Sequence, residues 1–196
     1  NPTTFAKSRK SEAEADHVRA TMEQDGAALC EFFSWLEAAL AAGTREIAVF
    51  GAASESFSRA NINCSIAESV ERFRPVAEAA RAHGMKVRAA VSCALGCPYQ
   101  GEVGIDAVDD VVQRLQGIGA QHIGIADTIG VGVPAQVRAL ADVASANAPG
   151  VPQRWHFHNT RNTGYANALT ALETGAAALD ASIGGFAVTR SSGQSS

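Results

Sequence analysis

The sequence predicts an α/β fold in which a parallel sheet is covered by helices. Five short apolar segments of the buried-strand kind begin near residues 46, 86, 122, 153 and 177, and helical patterns separate them. Strand-then-helix units of this length build either a doubly wound sheet or a (β/α)8 barrel. Polar residues follow the end of each strand, and their convergence on one rim favours the barrel. We therefore expect an incomplete (β/α)8 barrel of the TIM type, with about five βα units.

Local signals place each element in order. Apolar residues at helical spacing predict a helix over residues 27–42, which Gly43 ends. The first strand spans residues 46–52 and is followed by a polar loop over residues 54–63. Ser65 to Glu68 forms a capping box that begins a helix reaching His83, in which Pro75 predicts a kink or break. The remaining strands are predicted at residues 86–92, 122–126, 153–157 and 177–182, and the remaining helices at 106–118, 134–147 and 164–174.

Composition sets the domain organisation and excludes several classes of partner. Residues 1–30 are polar and indicate a helical extension, residues 31–186 form the partial barrel, and the Ser-rich residues 187–196 indicate a flexible tail. A net charge of −4 without a basic tract argues against nucleic acid, and no apolar run reaches the roughly 20 residues that span a membrane. Without an export signal we expect a cytoplasmic protein whose four cysteines are reduced.

Two histidines at the end of the fourth strand are the strongest chemical signal. His156 and His158 are two residues apart, so in a strand both imidazoles point to the same face. Such a pair binds a metal ion or, more often when isolated, consists of ordinary polar residues at a strand end. Asp127, at the end of the third strand, is a candidate charged group in the site or a helix N-cap. Cys93 and Cys97 are reactive thiols or, as we favour, buried structural cysteines.

Five strand-end motifs together resemble those of the 3-hydroxy-3-methylglutaryl-CoA lyase family. They occur in the family's order across residues 32–186, and the Ser-Cys-Ala-Leu-Gly-Cys-Pro-Tyr run favours the lyases over the related isopropylmalate and homocitrate synthases. The motifs are Phe50 to Glu55, Asn61 to Ser65, Val91 to Tyr99, Asp127 to Gly132 and His156 to Thr160.

The resemblance implies a TIM barrel that uses a divalent metal, Mg²⁺ or Mn²⁺, to cleave a 3-hydroxyacyl-CoA into acetyl-CoA and a keto acid, acetoacetate in the namesake reaction. By motif position, His156 and His158 would be metal ligands, and Asp127 would be a catalytic acid near the substrate hydroxyl. The substrate-binding residues implied are Asn61, Ser92 and Cys93.

The sequence also departs from the family pattern. We find no counterpart of the family's opening strand with its Arg-Asp pair, and Gly184-Gly185 continues into Phe186 where the family has a Gly-Gly-Cys-Pro loop. We therefore expect a truncated barrel without the family's first three βα units, whose open sheet edges favour a homo-oligomer. The alternatives are an inactive remnant that acts as a binding or structural module, and a related metal-dependent aldolase or acyl-CoA synthase.

Overall fold

A computed structural model describes residues 34–181 of the chain. The chain divides into two compact units, residues 1–44 and residues 45–196. In the first unit residues 34–41 are helical, and Gly43 follows with a φ of +79°, as the sequence predicts for a helix end. The predicted extension over residues 1–30, the loop at Gly184-Gly185 and the tail over residues 187–196 lie outside the described residues.

Within residues 45–181, the described part of the second unit, five strands form one parallel sheet. The strands are β1 (Glu46–Ala52), β2 (Lys86–Ser92), β3 (His122–Asp127), β4 (Gln153–Phe157) and β5 (Ala178–Asp180). Each strand pairs with the next one along the chain, in the order β1-β2-β3-β4-β5. A doubly wound sheet would reverse direction at a switch point, whereas a barrel keeps this sequential order. The described part of the sheet is therefore a segment of a TIM barrel, as predicted.

Among residues 45–181, five helices connect or follow these strands. They are α1 (Glu55–Ile62), α2 (Ile66–Ala82), α3 (Ile105–Gly117), α4 (Pro134–Asn147) and α5 (Gly164–Glu173). The loop predicted over residues 54–63 is wrong, because α1 occupies most of it. Ser54 caps α1 by accepting a hydrogen bond from the Phe57 amide at 3.2 Å, and Glu55 in the first turn favours the helix end. Only Ser58 of α1 is buried, and the sequence of this helix has no continuous apolar stripe from which it could have been predicted.

Helix α2 begins at the predicted capping box. The Ser65 hydroxyl accepts from the Glu68 amide at 3.1 Å, and the Glu68 carboxylate accepts from the Ser65 amide at 2.7 Å. The helix then continues without a break through Pro75, so the predicted break is wrong. Burial of Val70 before the proline and of Ala77 after it holds both halves against the sheet, which outweighs the lost amide donor.

The two faces of the sheet differ in polarity. On β2, Val87, Ala89 and Val91 are fully buried, while the intervening residues are partly exposed. Helix α3 packs on the buried face, where a side chain at Gly51 of β1 would meet Leu115 at 3.2 Å. The opposite face carries the polar residues that follow the same period of two, and it leads to the candidate site. No helix within residues 34–181 is long and apolar enough to cross a membrane.

Candidate active site

The two histidines lie side by side at the carboxyl end of β4. His156 is paired with Ala126 on β3 and with Asp180 on β5, and His158 follows directly after the strand. Their ring centroids are 5.0 Å apart, with the ring planes at 70°. Both rings line a cavity of about 290 Å³ between β4, β5 and the start of α5. The cavity is also lined by Phe157, Asn159, Gly164, Tyr165, Ala168, Leu179, Asp180 and Ala181.

Burial keeps His156 in its neutral form. Burial lowers the pKa of His156 below its usual value, and the neighbouring His158 acts in the same direction. The carboxylates of Asp180 and Asp127 act against this effect without reversing it. An imidazole that is neutral near pH 7 keeps one ring nitrogen free to bind a metal ion.

The histidine pair fits part of a metal coordination sphere. Two metal–nitrogen bonds of about 2.1 Å each, together with the ring radii, are long enough to span centroids that are 5.0 Å apart. Both histidines also line the same cavity. Within residues 34–181 there is no group of three or more His, Cys, Asp or Glu side chains placed to hold a metal. The two imidazoles therefore supply two ligand positions and leave the others to groups beyond this set.

Asp127 occupies a different environment from the histidines. Its side chain is fully buried and does not line the cavity that contains His156. One carboxylate oxygen accepts from the Val131 amide at 3.1 Å, and the other accepts from the Gly132 amide at 3.0 Å. Asp127 therefore orders the loop after β3, and it is not a helix N-cap, since α4 is preceded by Val133. Its role as a catalytic acid stays a prediction.

The loop after β3 fits closely against the chain that follows β4. Gly130 has a φ of +67°, and a Cβ atom there would lie 2.6 Å from the Thr160 hydroxyl and 2.9 Å from the His158 carbonyl oxygen. The segment after His158 is held in turn by α5, because the Asn159 side chain accepts from the Gly164 amide at 3.0 Å. The position of His158 thus depends on two neighbouring segments as well as on its own strand.

The three predicted substrate-binding residues lie in three different settings. Ser92 ends β2 on the polar face, is separated from β4 by β3, and is partly exposed. Asn61 is exposed near the end of α1 and does not line the histidine cavity. The Cys93 side chain is fully buried, with a φ of +59°, and its amide donates to the Thr128 hydroxyl at 2.7 Å. Of the three, Ser92 has the position that best suits substrate contact, and all three assignments stay predictions.

The cysteines of the loop after β2 are buried, which favours their structural interpretation. Burial, with a smaller contribution from the neighbouring Cys97 thiol, raises the pKa of Cys93 to about 12. Burial acts to raise the pKa of Cys97 as well, but hydrogen bonds from Ser54 and from the Gln100 and Tyr99 amides outweigh it and lower that pKa. The Ser54 hydroxyl lies 3.0 Å from the Cys97 sulfur. Cys93 is therefore a protonated packing group at neutral pH.

A cluster of charged side chains on the polar face of the sheet was not predicted from the sequence. Arg88 donates to both carboxylate oxygens of Asp180, at 3.1 and 3.0 Å, and Arg154 donates to one of them at 2.8 Å. Arg88 also lies 3.9 Å from Glu46, which contacts His122 at 3.1 Å. The signal that could have revealed the cluster is a charged or titratable side chain within each of five strands that are otherwise largely apolar.

Comparison with known proteins identifies the family. The family model described as HMGL-like matches residues 6–191. The chain belongs to the HMGL-like family. It is 44% identical over 154 residues to the mitochondrial hydroxymethylglutaryl-CoA lyase of Bos taurus, covering 79% of this chain and 47% of that protein. It is 45% identical over 160 residues to the 3-hydroxy-3-isohexenylglutaryl-CoA/hydroxymethylglutaryl-CoA lyase of Pseudomonas aeruginosa, covering 82% and 53%.

Solved structures of HMGL-like proteins resemble the chain over the same region. A crystal structure of hydroxymethylglutaryl-CoA lyase from Pseudomonas aeruginosa matches with a TM-score of 0.72 and 46% identity, over 76% of this chain and 49% of that one. An HMG-CoA lyase from Acinetobacter baumannii in complex with coenzyme A and 3-methylmalate matches with a TM-score of 0.66 and 31% identity, over 73% and 47%. The chain thus spans about half the length of the relatives it matches.

Proposed function

We propose that the chain provides the histidine-bearing part of the active site of a carbon–carbon lyase of the HMG-CoA lyase type. The enzyme would use a divalent metal to cleave a 3-hydroxyacyl-CoA into acetyl-CoA and a keto acid, acetoacetate when the substrate is 3-hydroxy-3-methylglutaryl-CoA. The observation that carries the proposal is the pair of adjacent imidazoles, 5.0 Å apart in one cavity at the carboxyl end of a barrel strand. In TIM barrels this end of the strands carries the chemistry.

Each residue of the site has a defined task in this proposal. His156 and His158 would hold the metal through ring nitrogens, and burial of His156, which lowers its pKa, keeps its nitrogen available near pH 7. When bound, a divalent metal supplies Lewis-acid polarisation of the substrate's hydroxyl and carboxylate oxygens. Ser92 offers a hydroxyl group on the polar face of the sheet for hydrogen bonding to the substrate.

The cleavage itself requires a group that accepts the substrate's hydroxyl proton. The bond between the hydroxyl-bearing carbon and the α-carbon of the thioester then breaks. The hydroxyl-bearing carbon becomes the carbonyl carbon of the keto acid, the electrons of the broken bond pass to the acetyl-CoA enolate, and a proton is added to the α-carbon. The family resemblance implies that Asp127 is a catalytic acid near the substrate hydroxyl, and we propose its carboxylate as the group that accepts this proton. Its carboxylate is fully buried and accepts hydrogen bonds from the Val131 and Gly132 amides, so direct transfer requires the loop over residues 128–133 to move and expose it. Without such a movement its charge acts only at a distance, on His156.

The finer assignments are also part of the proposal. Mg²⁺ and Mn²⁺ suit oxygen-rich sites that include imidazole, and the substrate would supply oxygen ligands. A coenzyme A thioester is supported by the relative whose structure contains coenzyme A. A cytoplasmic location is supported by the mouse relative named cytoplasmic, whereas the bovine one is named mitochondrial. We further propose a homo-oligomer, since β1 and β5 are the edges of the described sheet.

One assay tests the proposed reaction. The protein is incubated with 3-hydroxy-3-methylglutaryl-CoA and Mg²⁺ or Mn²⁺, and release of acetyl-CoA is followed over time. We expect metal-dependent release that His156→Ala abolishes. The matched control is His122→Ala, which removes an imidazole from the amino end of β3, where it contacts Glu46. This control should retain the activity of the parent protein.

The other outcomes separate the alternatives. Release of acetyl-CoA only from a different 3-hydroxyacyl-CoA would indicate a related aldolase. Metal binding without turnover of any thioester would indicate an inactive binding module. Equal loss of activity in the His156 and His122 variants would contradict a specific role for the pair at β4. Size-exclusion chromatography at several concentrations tests the oligomer, and a monomer at every concentration would contradict it.

A further inference from the structure

A fully buried asparagine on α5 stands out among the polar residues near the site. Asn167 has no exposed surface, yet only one of its two side-chain polar atoms makes a hydrogen bond. The Nδ2 group donates to the Gly132 carbonyl oxygen at 2.9 Å. The Oδ1 atom has no hydrogen-bond partner within the part of the chain that the structure describes. Burying a polar atom without a partner is unfavourable, so stability alone would favour an apolar side chain of the same shape.

The side-chain hydrogen bond of Asn167 connects α5 to the loop that Asp127 orders. The Gly132 amide donates to the Asp127 carboxylate at 3.0 Å, while the Gly132 carbonyl accepts from Asn167. Gly132 is thereby fixed from both sides, by β3 and by α5. A Cβ atom at this glycine would lie 3.0 Å from both Asp127 and Leu95, so the loop has little freedom to shift toward them.

The same helix also fixes the histidine segment. Gly164, at the first turn of α5, donates its amide to Asn159, the residue that follows His158. Asn167 lies less than one turn further along, so a single rigid helix binds both the segment after β4 and the loop after β3. The Gly130 backbone of that loop in turn abuts the His158 carbonyl. Loss of the Asn167 hydrogen bond would therefore alter the position of His158, because the loop over residues 128–133 contacts both residues.

We propose that Asn167 is a positioning residue that fixes the loop over residues 128–133 against the histidine segment, and so sets the relative placement of His158 and Asp127. This role rests on the proposed function only where it concerns metal binding. The expected effect on metal affinity is that of a group supporting the ligands, a loss of about 10-fold or more.

The test compares two apolar replacements of buried polar residues on one helix. Asn167→Leu removes the bond to Gly132 but keeps the side-chain shape. Thr170→Val is the matched control, because Thr170 is also buried and donates only to the Ala166 carbonyl of its own helix. Hydrogen exchange of the Gly132 amide is measured in both variants without metal, and Mn²⁺ affinity is measured by calorimetry.

We expect Asn167→Leu to speed exchange of the Gly132 amide at least about fivefold and to weaken Mn²⁺ binding, while Thr170→Val leaves both unchanged. Unchanged Gly132 exchange in folded Asn167→Leu overturns the proposal, and so does an equal effect in the control. If Asn167→Leu does not fold, Asn167→Ser, whose hydroxyl is too short to reach Gly132, is measured in its place with the same criteria. A parent protein that binds no Mn²⁺ contradicts the proposed metal site, and the exchange measurement then still decides the role of Asn167.

Discussion

The contact between β5 and β2 gives the sharpest stability prediction. Asp180→Asn removes the charge that accepts three hydrogen bonds from Arg88 and Arg154, at 3.1, 3.0 and 2.8 Å. Arg88 and Asp180 are separated by 92 residues in sequence. They lie on β2 and β5, which are not neighbours in the sheet and share no backbone hydrogen bonds. We expect the substitution to weaken the attachment of β5, the shortest strand of the described sheet.

The expected magnitude follows from the burial of the three side chains. Exposure is 22% for Arg88, 27% for Arg154 and 31% for Asp180. Breaking a fully buried ion pair typically costs about 3–5 kcal/mol, and partial exposure of these groups lowers the value to about 2 kcal/mol. The matched control is Asp110→Asn, which breaks a pair with Arg114 whose side chains are 56% and 45% exposed. An exposed pair of this kind contributes little to stability, because solvent and salt screen the attraction between the two charges.

Urea denaturation followed by circular dichroism measures both free energies of unfolding. We expect Asp180→Asn to lower the free energy of unfolding by at least about 1 kcal/mol more than Asp110→Asn does. A difference within about 0.3 kcal/mol between the two variants would refute the reasoning, because the contacts of Asp180 with Arg88 and Arg154 would then contribute no more than a surface ion pair.

Three further predictions concern the loops and titrating groups of the site. Gly130→Ala should destabilise the protein by about 2–4 kcal/mol by urea denaturation, whereas Gly150→Ala, with a similar φ of +78° but open space around it, should cost about 1 kcal/mol. Burial in the folded protein lowers the pKa of His156 below its unfolded value of about 6.5, so the unfolded chain binds a proton more readily than the folded one. As the pH falls below about 6.5, the free energy of unfolding should therefore fall, by up to about 1.4 kcal/mol per pH unit. His156→Gln should remove this contribution to the pH dependence. Iodoacetamide at pH 8 should modify Cys97 before Cys93, whose pKa is about 12, as peptide mass spectrometry would show.

Each of these predictions has a clear contrary result. Equal destabilisation by the two glycine variants would show that the contacts of Gly130 with the histidine segment are unimportant. A pH dependence of stability that is the same in the parent protein and in His156→Gln would contradict the burial of a neutral imidazole. Labelling of Cys93 ahead of Cys97 would contradict the order of their pKa values.

Much of the fold follows from local sequence, because buried parallel strands are continuous apolar runs and most helices have an apolar stripe. The strand at Gln153–Phe157 and the helix at Pro134–Asn147 were predicted with the bounds that the structure shows. Helix α1 was missed because its residues are mostly polar and exposed. The helix was predicted to reach His83, whereas α2 ends at Ala82 and His83 is its C-cap. The effect of Pro75 was overestimated, because tertiary packing outweighs a local propensity.

The site was only partly predictable. The period of two along β4 placed His156 and His158 together, because that relation is local. The direction of the Asp127 carboxylate depends on how the loop after β3 folds back, and no local pattern encodes that path. The bonds of Asp180 and Asn167 join segments 26 to 92 residues apart, so only the folded chain reveals them.

Titration of ¹⁵N-histidine-labelled protein with Mn²⁺, followed by nuclear magnetic resonance of the ring nitrogens, addresses the metal site most directly. Bound Mn²⁺ broadens nearby signals, so our account predicts early and parallel loss of the His156 and His158 signals while the His122 signal persists at the same Mn²⁺ concentration. Uniform broadening of all three, or survival of both β4 signals at saturating Mn²⁺, would contradict it.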